Sequence, residues 1–165
     1  MSERAGRSHP QFEWVKAKSG SIPPNAVQGG QEGDGKPLFV ARAMFNGSLV
    51  PGKAGPHIRG ASIAYGGKEH FLFDYEILVG DESLLYWRQC TGRIQLRGWS
   101  PLEVGYEADG KELYVGKTQV GSGVVIGKVG EHFPNGLMYT YAYKEKAVSE
   151  LDYYYVLAVP NNVSS

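Results

Sequence analysis

The sequence predicts an all-β protein made of two tandem β-sandwich-like repeats that pack rigidly and share or exchange strands. Glycine (23 residues) and proline (9 residues) interrupt most short windows before about position 137, which disfavours long helices. The chain also holds 11 tyrosines, which pack well on the pleated surface of a strand. A pattern that recurs at a constant offset of 75 residues indicates that one small β unit occurs twice.

Alternating or β-rich runs separated by turn signals predict the individual strands. These runs are Glu13–Lys18, Leu38–Phe45, Ala61–Tyr65, Phe71–Val79, Leu84–Cys90, Glu112–Val120, Gly123–Val129, Leu137–Tyr143 and Tyr153–Val159. The pairs Asn46-Gly47 and Asp109-Gly110 predict hairpin turns, because both residue types tolerate positive φ. The segment Glu145–Leu151 is the one helical candidate.

The repeats are predicted to cover residues 13–80 and 86–159, with an N-terminal extension at 1–12 and a tail at 160–165. Residues 8–13 match the core of a common affinity tag, either as added sequence or by chance. Each repeat has about 70 residues, near the size at which a lone β unit is marginally stable. The short join between them favours a rigid pair that shares a core.

Composition excludes several classes of function. The net charge is +0, from 17 basic and 17 acidic residues, which argues against nucleic acid or an anionic membrane surface as a partner. One cysteine, Cys90, allows no internal disulfide. No apolar run is long enough to insert in a membrane, and the first residues have no secretory signal pattern. We therefore expect a cytoplasmic protein, with release by an unconventional route as the alternative.

The repeat retains charged residues as well as apolar ones. Glu32 precedes Lys53 by the same spacing as Glu107 precedes Lys128. A repeat that served packing alone would need to keep only its apolar residues and glycines. The pattern therefore predicts two equivalent sites, each lined by a carboxylate and an ammonium. The alternative is a pair of surface salt bridges that pin hairpins, contributing about 0–1 kcal/mol each.

Many glycine, proline and lysine positions of the first copy follow one pattern. They are Gly29, Gly30, Gly35, Lys36, Gly47, Pro51, Gly52, Lys53, Gly66, Gly67 and Lys68, and Glu32 and Tyr65 belong to the same pattern. With the closing run Tyr75–Val79, they resemble the DM9 repeat. The second copy diverges: it has Ile126 where Pro51 stands, and it lacks the double glycine before Glu107.

The resemblance implies an all-β tandem that forms homodimers, takes part in microbe recognition and binds mannose-type sugars without a metal or other cofactor. Carried over to this chain, the sugar-binding residues are Glu32 with Lys53 and Glu107 with Lys128. The lectin pattern has Asp at the acidic position, and both copies here have Glu. The extra methylene shifts the carboxylate and adds a rotor, so affinity falls or the preferred sugar differs.

Other retained residues have simpler interpretations. Asp34 and Asp109 each precede a glycine and are predicted to cap turns. His57 and His132 are interpreted as loop residues, because a metal site needs more ligands nearby. Trp99 and Tyr106 are candidates to stack on a sugar in the second copy.

Three functions compete. The favoured one is a mannose-type lectin, and the alternative is a scaffold that binds a protein partner. An enzyme is not expected, because glycosidases divide acid and base roles between two carboxyls, whereas this chain repeats one acid and one lysine equally.

Overall fold

A computed structural model of the protein describes residues 11–160. Residues 1–10 of the predicted extension, including the start of the tag-like sequence, and residues 161–165 of the predicted tail lie outside the described residues. Within residues 11–160, no helix has the length and apolar character needed to cross a membrane.

Both repeats consist of short strands, as the sequence predicts. The first contributes β1 (Phe12–Lys18), β2 (Gln28–Gln31), β3 (Pro37–Phe45), β4 (Ser48–Gly55), β5 (Gly60–Tyr65), β6 (Lys68–Leu72) and β7 (Asp74–Gly80). A 3-10 helix, Glu82–Leu84, leads to the second. The second contributes β8 (Tyr86–Thr91), β9 (Ser100–Pro101), β10 (Gly105–Tyr106), β11 (Glu112–Val120), β12 (Gly123–Val129), β13 (Leu137–Tyr141), β14 (Lys144–Ala147) and β15 (Tyr153–Val159).

All these strands belong to one sheet, in the order β1-β7-β3-β2-β12-β13-β14-β6-β5-β4-β10-β11-β15-β8, with β9 beside β15. Read from either end, the order passes through equivalent strands of the two repeats. The equivalents meet at the centre, where β6 pairs with β14 at Lys68 and Lys144. Additional pairings of β3 with β4 and of β11 with β12 fold the sheet back on itself.

The repeats exchange one short strand each. Strand β2 pairs with its own β3 and, through Gln31 and Val124, with β12 of the second repeat. In the same way β10 pairs with its own β11 and, through Tyr106 and Leu49, with β4 of the first repeat. The all-β fold and the predicted exchange of strands are confirmed.

One hydrophobic core lies across the boundary between the repeats. Its buried residues are Val27, Leu38, Val40 and Leu78 from the first repeat, with Leu102, Val104, Val115, Ile126, Leu157 and Val159 from the second. Two flanking clusters each belong to a single repeat. Tyr154 is fully buried in the second-repeat cluster, and its hydroxyl donates to the Gly92 carbonyl at 2.6 Å. Burial raises the pKa of Tyr154, so the phenol stays neutral.

The predicted helix at residues 145–151 is wrong. Its first half is strand β14, because Glu145 pairs with Thr140 of β13 and Lys144 with Lys68 of β6. The predicted strand over residues 71–79 is two strands, β6 and β7, with Phe73 between them. In both places, pairing with strands that are distant in sequence overrides the local sequence pattern.

The sequence does not predict strand β4, because Pro51 and two glycines interrupt its β pattern. The hairpin turn at Asn46-Gly47 has positive φ at both residues, and it sets the register that pairs Pro51 with Arg42. On its other side β4 pairs with β10 at Leu49 and with β5 from Lys53 onward. Pro51 therefore faces the gap between these partners, where its missing N–H costs no ladder hydrogen bond.

The exchange depends on glycines that let two backbones approach. A Cβ at Gly30 would lie 2.2 Å from the Val124 carbonyl oxygen, and one at Gly105 would lie 2.0 Å from that of Leu49. We predict that Gly30→Ala and Gly105→Ala each lower the free energy of unfolding by about 1–3 kcal/mol or more, as overpacking does. Denaturant titration measures this.

Gly33→Ala is the matched control for these substitutions. A Cβ at Gly33 would meet only the Ser122 hydroxyl, which can rotate away. Equal stability of the Gly30, Gly105 and Gly33 variants would contradict the role given to close backbone approach.

Candidate functional site

Glu32 and Glu107 begin equivalent loops that follow the exchanged strands. The Glu32 N–H donates to the Lys36 carbonyl at 2.8 Å, and the Glu107 N–H donates to the Lys111 carbonyl at the same distance. The predicted turn residue Asp34 accepts a hydrogen bond from the Lys36 N–H, as Asp109 does from the Lys111 N–H. The loops thus hold the two glutamates in the same orientation.

Each glutamate contacts a histidine of its own repeat. The distance from Glu32 Oε2 to His57 Nε2 is 2.8 Å, and Glu107 Oε2 lies equally far from His132 Nε2. These four side chains are 19–35 % exposed, so a ligand in solvent can reach them. The interpretation of His57 and His132 as loop residues misses these contacts. Their equal separation from the glutamates in both repeats was the signal that could have identified them.

Lys53 and Lys128 occupy equivalent positions in β4 and β12 and are 8 % and 4 % exposed. Among the described residues, neither lysine forms an ion pair with the glutamate predicted to share its site. A chain of ring contacts nevertheless joins the second pair. His132, which contacts Glu107, lies 4.2 Å from the Phe133 ring, and that ring is 5.5 Å from Lys128 Nζ. In the first repeat Ile58 stands where Phe133 stands.

Lys128 lies in a pocket built from both repeats. Its Nζ is 3.1 Å from Glu145 Oε2, and both side chains are more than 90 % buried. The other oxygen of Glu145 accepts a hydrogen bond from the Gly67 N–H of the first repeat at 2.8 Å. The ring of Tyr65, also from the first repeat, lies 5.5 Å from Lys128 Nζ. Pairing of β6 with β14 brings these groups together.

Lys53 has different surroundings. Glu69, the equivalent of Glu145, accepts a hydrogen bond from the Ser62 hydroxyl. Within residues 11–160, Lys53 Nζ makes no hydrogen bond or ion pair. Among the described residues, Ser48 Oγ is the one side-chain N or O atom that is both fully enclosed and without a hydrogen-bond partner. Lys53 Nζ also has no partner there but is not fully enclosed, so it keeps contact with solvent.

The remaining predicted residues divide into available and unavailable ones. Trp99 is buried, and its indole N–H donates to the Gln95 carbonyl at 2.6 Å, so the prediction that it stacks on a sugar is wrong. Tyr106 is exposed beside Glu107. The sequence leaves the equivalent cations Arg42 and Lys117 open between a structural and a binding role, and they lie over the rings of Trp14 and Trp87, at 4.2 and 4.3 Å. In the described part of the chain, no three His, Cys, Asp or Glu side chains converge on a metal position.

The buried ion pair generates a stability prediction. Glu145→Ala leaves the Lys128 ammonium buried without its partner, and we expect the free energy of unfolding to fall by about 3–5 kcal/mol. Glu69→Ala removes one hydrogen bond from Ser62 and is expected to cost about 1–2 kcal/mol. Thermal and denaturant unfolding of the two variants measure both values. Equal losses would contradict the difference between the two lysine environments.

Comparison with known proteins agrees with this architecture. The structure is similar to the crystal structure of the nematode sperm cell motility protein MFP2B, with a TM-score of 0.63 and 17 % sequence identity. The match covers 90 % of this chain and 44 % of that one, so this chain spans less than half of the length of MFP2B. No curated protein sequence matches the chain. The DM9 repeat profile matches residues 6–72 and 33–149, and the chain therefore belongs to the DM9-repeat family.

Proposed function

We propose that the protein is a metal-independent lectin that binds mannose-type glycans through Glu32 with Lys53 and through Glu107 with Lys128. The observation that carries this proposal is the duplication of one chemical set. Each repeat has a partly exposed glutamate that contacts a histidine, and a nearly buried lysine in strand β4 or β12. Packing does not require this set of charged residues, and yet the chain has the set in both repeats.

The chemistry of the set suits a monosaccharide. Vicinal sugar hydroxyls donate to a carboxylate and accept from an ammonium, and such charge-assisted hydrogen bonds are stronger than neutral ones. The histidine contacts one carboxylate oxygen of each glutamate and fixes the orientation of the group, and no donor within residues 11–160 binds the second oxygen, Oε1. A buried lysine is also preorganised, because few of its rotamers remain open.

Aromatic rings support the same proposal in the second site. Tyr65 and Phe133 both flank Lys128 Nζ at 5.5 Å, and Tyr106 is exposed next to Glu107. Rings of this kind pack against the apolar face of a sugar while the charged groups bind its hydroxyls.

Multivalency fits a site of this size. A single monosaccharide site is small and binds weakly, whereas several sites on one rigid body bind a glycan-covered surface with much higher avidity. One continuous sheet fixes the two sites of a chain relative to each other. A homodimer would present four, and sedimentation analysis of the protein tests that oligomeric state.

Calorimetric titration with mannose tests the proposal, with galactose as the control sugar. We expect mannose-selective heat from the wild type and none from the double variant Lys53→Met, Lys128→Met. Methionine keeps most of the apolar stem of lysine and removes the ammonium. The matched control is Lys36→Met, Lys111→Met, which removes two exposed lysines from the equivalent loops and should leave the heat unchanged.

Circular dichroism of both variants establishes that they are folded. Absence of heat from the folded wild type at millimolar mannose would refute the mannose assignment. Equal heat from the wild type and the Lys53, Lys128 variant would refute the site.

A scaffold that binds a protein partner is the second candidate. Phe71, Phe73 and Tyr143 are 52 %, 72 % and 75 % exposed, and the rings of Phe71 and Tyr143 lie 6.5 Å apart. Exposed aromatic residues of this kind are common at protein interfaces. Replacing all three by serine should leave mannose heat intact if the protein is a lectin with sites at the lysines.

A further inference from the structure

The two lysine sites differ in one residue that faces each lysine across the sheet. In the β4–β5 pairing, Lys53 is opposite Ser62. In the equivalent β12–β13 pairing, Lys128 is opposite Met138. Directly opposed residues of antiparallel strands point to the same face of the sheet, so each of these residues lies beside its lysine. One offers a hydroxyl donor and the other a thioether with none.

The neighbouring carboxylate has a different partner in each repeat. Ser62 is buried, and its hydroxyl donates to Glu69 Oε2. The same hydroxyl lies 3.5 Å from Thr140 Oγ1 of the second repeat. Met138 has no donor to offer, and Glu145 instead places Oε2 at 3.1 Å from Lys128 Nζ. Equivalent glutamates therefore have different partners.

The consequence is a difference between the two ammonium groups. Lys128 has a carboxylate partner within the protein, in a pocket where both groups are nearly buried. Lys53 is also nearly buried, and no group of residues 11–160 accepts a hydrogen bond from its Nζ. Because Lys53 Nζ reaches solvent and has no acceptor among the described residues, a ligand oxygen has to displace only water there, whereas at Lys128 it must share or displace a carboxylate.

We propose that Ser62 and Met138 are positioning residues that make the two sites unequal, so that the first-repeat site binds the sugar more tightly. Ser62 holds Glu69 away from Lys53 and leaves the ammonium open to ligand hydroxyls. Met138 lets Glu145 pair with Lys128, and a sugar there competes with that ion pair. This inference rests on the proposed lectin function, and it also makes a prediction that involves no sugar.

Lysine reactivity tests the difference without a ligand. The folded protein is treated with a limiting amount of an amine acylating reagent, and peptide mass spectrometry gives the rate at each lysine. We expect Lys53 to react faster than Lys128. Ser62→Ala frees Glu69 to pair with Lys53 and should slow Lys53, whereas Met138→Ser should accelerate Lys128. Lys36 and Lys111 are equally exposed at 55 % and serve as internal standards that neither substitution changes.

Mannose calorimetry then tests the consequence for binding. The wild type should show one tighter site per chain, which Lys53→Met removes and Lys128→Met retains. Ser62→Ala should weaken the tighter site about tenfold or more, the equivalent of losing one charge-assisted hydrogen bond. Ser62→Ala adds no volume to the core, and Met138→Ser reports on the other repeat, so one misfolded variant does not remove the test.

The outcomes separate the two proposals. Equal reactivity of Lys53 and Lys128 in the wild type would overturn the inference, whatever the result of the mannose titration. Reactivity that neither Ser62→Ala nor Met138→Ser changes would do the same. Reactivity that follows the substitutions without any heat from mannose would refute the lectin function and leave the difference between the ammonium groups standing. Two sites of equal affinity, despite unequal reactivity, would overturn the claim that the ion pair controls binding.

Discussion

Each repeat contributes a short strand that pairs with the other repeat, and the rest of the structure depends on this exchange. Strand β2 completes the second repeat at β12, and β10 completes the first at β4. Because both exchanged strands are bonded on their other side to their own repeat, neither repeat has a closed set of strands by itself. The shared core beneath them contains residues of both repeats in contact. Size favours the exchange, since a β unit of about 70 residues is only marginally stable alone.

The exchange also builds the candidate sites. Glu32 follows the exchanged strand β2, and Glu107 follows the exchanged strand β10. Lys128 lies in β12, which pairs with β2, and Lys53 lies in β4, which pairs with β10. At the centre of the sheet, Tyr65 and Gly67 of the first repeat reach the Lys128–Glu145 pair of the second. The geometry of the second site thus depends on contacts between repeats, and the second repeat taken in isolation would lack part of that site.

The sequence predicted the features that repeat and missed those that depend on pairing. A common offset identified equivalent residues, so the tandem and its turns could be read directly, and Asn46-Gly47 does join two paired strands. Strand β4 was hidden by Pro51, whose missing N–H matters only once its partners are known. Strand β14 looked helical because Glu145–Leu151 carries no local sign of the β6 strand it meets. The contact of Glu32 with His57 was signalled only by equal spacing, which does not say that two residues touch. The Ser62 and Met138 difference needs the strand register, which no local pattern gives.

The exchange has a consequence for how the chain reaches its native state. Strand β2 is synthesised early, but its partner in β12 lies about 90 residues further along the chain. Pairings of such long separation close slowly, since loop entropy is lost before the contact forms. A nascent chain therefore carries an open strand edge at β2 until β12 has left the ribosome. During that interval the β2 edge of one chain can accept β12 of a neighbour, so high expression favours intertwined chains, and dilution or slow synthesis favours pairing of β2 with β12 of the same chain.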